Sequence, residues 1–469
     1  MLRTVFQRRK ENIFRIASSA SYATHQSCLP KRWASTTPQE VQTAGNSDDA
    51  GEHSFLYSLP THFLRDSDLH SFDKTTSQRN NVQFNTETGK PEVTKPISTE
   101  KPVSIDNYTI HQSNQCEIHW SDGTSSQHDI HALKQRYLDW KRCRPEDRIL
   151  WQGLTEEDVR LSSDLSISFG ALISEDGSGM SRAIKSLYQY GVLLITDTPV
   201  DDDGVGIAAL GASLSGGSVK DSPSSSLLAN YRLGGTEVVL PDGTDGPLRT
   251  LYGGVWATTS AGQPSGTSVA DSAYGNDALP LHTDMTYLQD PPGLQIFTMV
   301  QPAVSGGESV FCDGFAVAQT LREKDPIAFD ILSQTNRTYH SRDEVTGWYL
   351  RATGPVIEVR DGRFIRIRHN DLDRLPDLPP SDIVEKTAME AFYNELERAH
   401  EQWDSLIAQD RFRLVMKLGR GDTMVVANQR CFHGRYSFTS TAESPRSVMG
   451  CYIGQDELSS RFRMEGYDT

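Results

Sequence analysis

Short apolar runs of strand length recur through the second half of the chain, separated by polar or Gly-rich turns. They predict β-strands at 191–196, 293–300, 308–313, 411–417 and 423–427. The dipeptide Asp361-Gly362 lies between two further alternating segments and predicts a tight hairpin. Apolar residues at helical spacing predict helices over 179–190 and 384–403. Many strands, short turns and few helices are typical of a mainly β protein, here an antiparallel jelly roll with helical insertions.

The pattern before residue 157 differs and predicts a separate, small β-rich domain over 39–156. Residues Gln115–Trp120 alternate between polar and apolar and are followed by Ser121-Asp-Gly, a turn signal. Residues 128–137 have the pattern of a short helix. The larger domain is expected over 157–469, with a Ser- and Gly-rich loop at 213–226.

The first 38 residues differ from both domains in composition. They carry seven Lys or Arg against the single acid Glu11, with apolar residues between the basic ones and a Ser-rich stretch after them. This composition is typical of a transit peptide that directs a protein to the mitochondrial matrix; a disordered basic tail is the alternative. Without this segment of net charge +6, the formal charge changes from −16 to −22.

The acidic charge of the remaining chain argues against nucleic acid or an anionic membrane as a partner. It is compatible with a small cationic substrate. No apolar run is long enough to span a membrane. The six Cys residues are scattered, without a CxxC pair, which indicates free thiols in a reducing compartment.

The strongest chemical signal is a pair of polar residues within 279–293. His282 and Asp284 are two residues apart, so on a strand their side chains would point to the same face. His433, which follows another apolar run, is the candidate third ligand. Two His and one carboxylate suit Fe(II) and leave positions open for other ligands. For each residue alone, a solvated or structural side chain is the alternative.

Arg446 supports a metal-dependent reaction of a 2-oxoacid. It lies 13 residues after His433, at the start of the apolar run 448–453. An Arg facing a metal can bind a carboxylate through two parallel hydrogen bonds. A metal and a buried Arg would together hold a 2-oxoacid that has a distal carboxylate. A surface charge is the alternative for this residue.

Residues from about 191 to 466 resemble the γ-butyrobetaine/trimethyllysine hydroxylase family of Fe(II)- and 2-oxoglutarate-dependent oxygenases. The motifs that carry the resemblance occur in the family's order and at its spacing. They are Tyr252-Gly-Gly-Val-Trp256, Asp271-Ser-Ala-Tyr274, His282-Thr-Asp284, Pro291-Pro-Gly293, Gly306-Gly-Glu-Ser309, Asp313-Gly-Phe315, Asn370-Asp-Leu-Asp-Arg374, His433-Gly-Arg435 and Arg446.

The resemblance implies a double-stranded β-helix core, the jelly roll of these oxygenases, with iron on His282, Asp284 and His433. It implies that Arg446 holds 2-oxoglutarate, that the Ser309 hydroxyl assists, and that ascorbate keeps the iron reduced.

The resemblance also implies an aromatic cage for a trimethylammonium group. A quaternary ammonium cannot donate hydrogen bonds, so the faces of aromatic rings are its natural receptor. Core packing is the alternative for any one ring. The cage positions are Tyr252, Trp256, Tyr274 and Tyr452.

Two substrates of the family fit these features. Trimethyllysine carries an α-ammonium that γ-butyrobetaine lacks, and Asp271, a position where the trimethyllysine enzymes have Asp, can pair with it. Tyr287 and Asn370 are also assigned to the substrate. These features favour hydroxylation of N6,N6,N6-trimethyllysine at C3, the first step of carnitine biosynthesis. Hydroxylation of γ-butyrobetaine to carnitine and a non-catalytic small-molecule binding protein are the alternatives.

The small domain departs from the family at its zinc site. Relatives with zinc have three Cys shortly after a Leu-Arg-Asp, whereas the matching positions here are Asp68, His70 and Asp73, and Thr124 stands at the expected His. Without thiolates, a tetrahedral zinc site is not expected. The family also implies a homodimer, with the helix over 383–407 as a candidate contact.

Overall fold

A computed structural model describes residues 55–72, 78–79, 82–84, 91–93, 103–111, 115–134, 148–174, 177–200, 204–215, 228–233, 236–241, 254–260, 275–343 and 347–467. The chain forms two compact units that divide between Arg144 and Pro145, ahead of the expected boundary at 156/157. The segment 1–38, interpreted as a transit peptide, lies outside the described residues. Within the described part, no helix is long and apolar enough to cross a membrane.

In the described residues of the first unit, residues 55–58 and 130–134 are helical, and there are one further short helix and five strands. They are α1 (Thr61–Asp66), β1 (Val82–Phe84), β2 (Pro91–Val93), β3 (Ile105–Ile110), β4 (Gln115–Trp120) and β5 (Ser125–Asp129), with a 3₁₀ turn at Leu69–Ser71. Strands β3, β4 and β5 form an antiparallel sheet. The alternation on β4 buries Cys116, Ile118 and Trp120 against Leu64 of α1, so the predicted strand is confirmed together with its core face.

The helix predicted at 128–137 is wrong at its start. His128 lies on β5, opposite Cys116, and residues 130–134 are helical. The imidazole of His128 is fully buried and lies 2.7 Å from the Ser126 hydroxyl, which accepts a hydrogen bond from the Trp120 indole. This buried polar chain follows the two-residue period of a strand, which the helical interpretation did not recognise.

The second unit contains 18 strands in the described residues. They are β6 (Ser166–Ser168), β7 (Val192–Thr196), β8 (Leu228–Leu233), β9 (Thr236–Pro241), β10 (Val255–Ser260), β11 (Leu279–His282), β12 (Leu294–Gln301), β13 (Ser305–Gly306), β14 (Ser309–Asp313), β15 (Asn336–Asp343), β16 (Trp348–Pro355), β17 (Ile357–Arg360), β18 (Arg363–Ile367), β19 (Arg413–Met416), β20 (Thr423–Ala427), β21 (Cys431–Arg435), β22 (Phe438–Thr439) and β23 (Arg446–Ile453).

The helices of the second unit are more numerous than the sequence pattern predicted. They are α2 (Glu156–Leu161), α3 (Phe169–Leu172), α4 (Ser178–Tyr190), α5 (Val205–Ser215), α6 (Gly314–Lys324), α7 (Pro326–Gln334), α8 (Lys386–Ile407) and α9 (Gln455–Met464), with a 3₁₀ turn at Asp410–Phe412. The unit is therefore a mixed structure of helices and sheets, and the expectation of a mainly β protein is corrected.

Two antiparallel sheets form the jelly roll. Their strand orders are β10-β23-β12-β20-β7-β6 and β11-β21-β14-β19, with only the β6–β7 pair parallel among these described strands. Successive side chains of β12 point to opposite faces of the sheet and so belong to two different hydrophobic cores. Leu294 and Ile296 pack outward with α4, α5 and α9, whereas Phe297 and Met299 pack inward with Phe311 of β14. The predicted jelly-roll core is thus confirmed.

Helices α6, α7 and α8 cover the outer face of the smaller sheet. Phe315 of α6, Phe329 of α7 and Trp403 of α8 join one buried cluster with Phe432 of β21. The sequence pattern did not predict α6, because its residues 314–318 are all buried and show no helical period. The predicted long helix is confirmed as α8, which begins after the exposed Val384 and extends to Ile407.

The predicted hairpin at Asp361-Gly362 is confirmed between β17 and β18. Both residues have positive φ angles, 51° and 82°, as a two-residue turn of this kind requires. The loop expected at 213–226 is partly wrong, because α5 continues to Ser215; residues 216–226 lie outside the described residues.

Candidate functional site

His282 and Asp284 come together, but not by the strand geometry that the sequence suggested. Strand β11 ends at His282, and Asp284 lies in the turn that follows. The turn is held by Asn428, whose side-chain oxygen accepts from the Asp284 N–H at 2.7 Å and whose amide donates to the Asp284 carbonyl at 3.1 Å. Met285 then takes a positive φ of 55°. Asn428 therefore sets the direction of the Asp284 carboxylate.

His433 is the third member of the cluster. It lies within β21, not after a strand as expected, and it is the register partner of His282 on β11. The Asp284 Oδ1 atom is 3.1 Å from His282 Nε2 and 3.4 Å from His433 Nε2. Ligand atoms on adjacent corners of an octahedron with bonds of about 2.1 Å are about 3 Å apart. The spacing of these three side chains therefore fits one metal ion.

The protonation states of Asp284 and His433 also fit a metal site, whereas the pKa of His282 is raised by Asp284. Burial lowers the pKa of His433 and favours its neutral form. Burial opposes the charge of Asp284, but His433 and His282 outweigh it and hold the Asp284 pKa well below its usual range. Burial also lowers the pKa of His282, yet the hydrogen bond and charge of Asp284 raise it overall. A carboxylate and a neutral His are the forms that bind metal.

Neighbouring groups orient the three side chains. His282 Nδ1 lies 2.8 Å from the Pro280 carbonyl, to which it can donate, so that Nε2 can present its lone pair to a metal. The Tyr452 hydroxyl donates to Asp284 Oδ2 at 2.8 Å. The side-chain nitrogen of Gln295 donates a hydrogen bond to Asp284 Oδ2, and it also lies 2.9 Å from His433 Nε2. Such contacts fix the positions of the metal-binding atoms of His282, Asp284 and His433 before a metal binds.

Two buried guanidinium groups lie at another wall of the same cavity. Arg446 and Arg435 are 5% and 7% exposed, and both stand over the Phe438 ring, at 5.2 and 4.8 Å from its centre. Burial and the neighbouring Arg435 lower the pKa of Arg446 to about 10. Among the described residues, Arg446 Nε has no hydrogen-bond partner. Two adjacent buried cations with such a donor suit the distal carboxylate of 2-oxoglutarate.

Ser309 is buried, lines the cavity and lies opposite Arg435 in the β14–β21 register. The role of its hydroxyl in holding the co-substrate stays a prediction.

The structure brings two of the four expected cage residues together. The rings of Trp256 and Tyr452 have centroids 6.0 Å apart and are tilted by 35°. The indole lies over Gly450, its register partner, where any side chain would collide with it. Tyr252 and Tyr274, like the ammonium-pairing candidate Asp271, lie outside the described residues.

The remaining predicted substrate residues, Tyr287 and Asn370, both line the cavity. Tyr287 is buried beside Tyr452 in a small aromatic cluster. The Asn370 side chain is engaged in its own turn, where it accepts from the Leu372 N–H and donates to Asp373.

One cavity of about 400 Å³, a volume typical of a small-molecule site, contains many of these side chains in its lining. They are His282, Asp284, His433, Arg435, Arg446, Ser309, Trp256, Tyr452, Tyr287, Asn370 and Gln295. Sequence reasoning missed the roles of Gln295, Asn428 and Arg435. For Arg435 the signal was present, because it lies two residues after His433 on the same strand and therefore on the same face. Asn428 acts through contacts between segments distant in sequence, which no local pattern reveals.

Comparisons with known proteins show the family to which the sequence belongs. The sequence profile of the "Taurine catabolism dioxygenase TauD, TfdA family" matches residues 152–452. The mitochondrial trimethyllysine dioxygenase of Rattus norvegicus is 26% identical over 353 residues, 74% of this chain and 71% of that protein. The trimethyllysine dioxygenase of Neurospora crassa is 26% identical over 448 residues, 87% of this chain and 81% of that protein.

Other relatives have other names. The dioxygenase str8 of Strobilurus tenacellus is 26% identical over 360 residues, 74% of this chain and 73% of that protein. Among solved structures, a taurine dioxygenase from Burkholderia xenovorans is 14% identical, covers 63% of this chain and 89% of that chain, and has a TM-score of 0.35. Because the family profile spans more than half of the sequence, this chain belongs to the TauD/TfdA family of dioxygenases.

Proposed function

We propose that this dioxygenase depends on Fe(II) and 2-oxoglutarate and hydroxylates N6,N6,N6-trimethyllysine at C3, the first step of carnitine biosynthesis. One observation carries the proposal. A single cavity combines the cluster of His282, Asp284 and His433 with two buried guanidinium groups and the Trp256–Tyr452 ring pair. A binding protein without redox chemistry has no need for all three features.

The residues divide the work between two ligands. His282, Asp284 and His433 would hold Fe(II), which, when bound, supplies the oxidation that converts 2-oxoglutarate and O2 into succinate and CO2 while one oxygen atom enters the substrate. Arg446 and Arg435 neutralise the distal carboxylate of 2-oxoglutarate and fix its orientation. The apolar walls, including Phe297 and Val448, limit the access of water to the reacting atoms.

The aromatic pair supports a cationic, methylated substrate. Trp256 and Tyr452 offer ring faces to a trimethylammonium group, and the Tyr452 hydroxyl is at the same time bonded to the metal ligand Asp284. The receptor for the substrate is therefore next to the metal cluster. The names of the rat and Neurospora relatives support trimethyllysine, whereas str8 has equal identity and a different name.

We place the enzyme in the mitochondrial matrix. The basic, Ser-rich first 38 residues support this proposal, as does the mitochondrial location in the name of the rat relative. Ascorbate, which would keep the iron reduced, and a homodimer remain proposals carried over from the family resemblance.

The proposed function is tested by measuring succinate formation from 2-oxoglutarate with the full chain and Fe(II). Trimethyllysine and γ-butyrobetaine are supplied in turn, with His433→Ala as the blank. We expect succinate above the blank with trimethyllysine, and a higher kcat/KM for it than for γ-butyrobetaine. The reverse order would favour γ-butyrobetaine hydroxylation, and no stimulation by either would contradict the proposal.

A further inference from the structure

A second carboxylate lines the cavity and has no part in the metal cluster. Of the described residues that line it, Asp284 and Asp373 are the carboxylates. Asp284 belongs to the metal cluster, while Asp373 lies in the segment after β18, within Asn370-Asp-Leu-Asp. The proposed function gives no role to Asp373.

Asp373 is held firmly in this position. Its Oδ2 atom accepts from the Thr286 hydroxyl at 2.8 Å and from the Asn370 amide at 3.0 Å. Its backbone carbonyl accepts from the His340 N–H at 2.8 Å, and its own N–H donates to the Asn370 carbonyl. These contacts hold the Asp373 carboxylate in one orientation at the wall of the cavity.

Asp373 lies against the turn that carries Asp284. Thr286, which donates to the Asp373 carboxylate, is two residues from Asp284 in that turn. Thr283 of the same turn exchanges hydrogen bonds with His369, shortly before Asp373. Arg446 and Arg435, in contrast, lie together over the Phe438 ring. The cavity lining thus includes a carboxylate next to the metal-cluster turn as well as the two guanidinium groups.

We propose that Asp373 receives the α-ammonium of the amino-acid substrate and so determines specificity; this inference rests on the proposed function. The α-ammonium is attached to the carbon next to C3, so its receptor has to lie near the metal. An ammonium has three N–H donors, so it can bond Asp373 and a second acceptor at the same time, which is compatible with the role predicted for Asp271.

The test compares trimethyllysine with 6-(trimethylammonio)hexanoate, which is the same molecule without the α-amino group. Calorimetry without O2 gives Kd for both, with Fe(II) and 2-oxoglutarate bound to the full chain. We expect the wild-type protein to bind trimethyllysine more tightly. Asp373→Asn should raise the Kd of trimethyllysine about tenfold, because a charge-assisted contact becomes a neutral one. The Kd of the analogue should stay within about twofold.

Asp371→Asn is the matched control. Asp371 lies in the same segment, but its side chain is 53% exposed and pairs with Arg337 and Arg374. It should leave the preference between the two ligands unchanged. An equal loss of both ligands in Asp373→Asn, or no change in either, overturns the assignment while wild-type turnover of trimethyllysine still upholds the proposed function. A wild-type protein that neither binds nor oxidises trimethyllysine overturns both.

Discussion

His433 lies on β21, which pairs directly with β11, the strand that ends at His282. The side chain is 7% exposed, and His282 and Asp284 both lie against it. Its removal leaves only two ligands, too few to hold a catalytic metal in a defined geometry.

We expect His433→Ala to abolish succinate formation and to weaken Fe(II) binding by at least tenfold, while the melting temperature changes little. His340→Ala is the control, since this residue lies on β15, contacts Tyr349 and does not line the cavity. Wild-type turnover in His433→Ala would remove this residue from the ligand set.

Arg446 should affect 2-oxoglutarate selectively. Hydrogen bonds between charged groups contribute about 1.5–3 kcal/mol. We therefore expect Arg446→Met to raise the KM for 2-oxoglutarate on the order of 10- to 100-fold, with Fe(II) affinity unchanged. Steady-state kinetics and metal titration decide this. An unchanged KM would mean that Arg435 alone holds the co-substrate.

The residue types and order of the motifs allowed the metal ligands and Arg446 to be predicted, because the chemistry demands particular side chains. The route of the chain was harder to predict. The Asp284 carboxylate reaches His282 through a turn that Asn428 holds by hydrogen bonds, and Asn428 is 144 residues from Asp284 in the sequence. The two-residue spacing pointed to His282 and Asp284, which do lie together. The reason was partly wrong, because only His282 is on the strand and Asp284 lies in the turn after it.

At the scale of elements, Asn428 joins the end of β20 to the turn after β11. It is fully buried and also donates to the Pro292 carbonyl at 3.1 Å. Asn428→Ala leaves the Asp284 N–H without its acceptor, and each such buried group costs about 1–3 kcal/mol.

We expect Asn428→Ala to lower the melting temperature and to weaken Fe(II) binding about tenfold, as loss of a ligand's support typically does. Thr298→Val is the control, because its hydroxyl pairs with Thr423 within the sheet. It should lower stability without changing metal affinity. Equal metal affinities in Asn428→Ala and the wild type would contradict this role.

Two buried histidines should make the stability of the protein depend on pH, one on helix α8 and one packed against that helix. Burial, followed by Arg337, lowers the pKa of His400 to about 3, and Arg337 donates to its Nε2 at 2.7 Å. Burial lowers the pKa of His369, which packs on Trp403, to about 4. The unfolded chain binds more protons than the folded one between these values and about 6.5, so stability increases with pH in that window.

Each of the two histidines lowers the free energy of unfolding by about 2 kcal/mol between pH 7 and pH 5. Burial raises the pKa of Asp404 on α8 to about 6, which offsets about 1 kcal/mol of this fall. We therefore expect a net fall of about 3 kcal/mol. Urea unfolding at both pH values measures this. In His400→Gln the amide oxygen can still accept from Arg337, so the pH dependence should become weaker. A pH-independent wild type, or an unchanged slope in the variant, would contradict the explanation.

The elements could be predicted where one face is buried and the other is not. Strand β4 and helices α4 and α8 have this property, and their periodicity located them. Helix α6 is buried on nearly all sides, and a short apolar run of this kind cannot be distinguished from a strand by periodicity. The helical layers on the jelly roll were underestimated for that reason.

At the scale of the whole molecule, several expectations stay predictions. The buried stripe of α8, from Phe392 to Ile407, packs inside its own unit, so a homodimer contact through this helix would use its other face. The loss of zinc from the first unit rests on Asp68 and His70 at thiolate positions, with Asp73 outside the described residues. Metal analysis and sedimentation of the full chain test these two expectations.

The identity and position of the oxidised product test the central claim most directly. The full chain is incubated with trimethyllysine, 2-oxoglutarate, Fe(II) and O2, and the product is examined by mass spectrometry and NMR. We predict a product heavier by one oxygen atom, with the hydroxyl on C3 and one succinate formed for each product molecule. Succinate release with unchanged trimethyllysine, or a hydroxyl group on another carbon, would contradict the account.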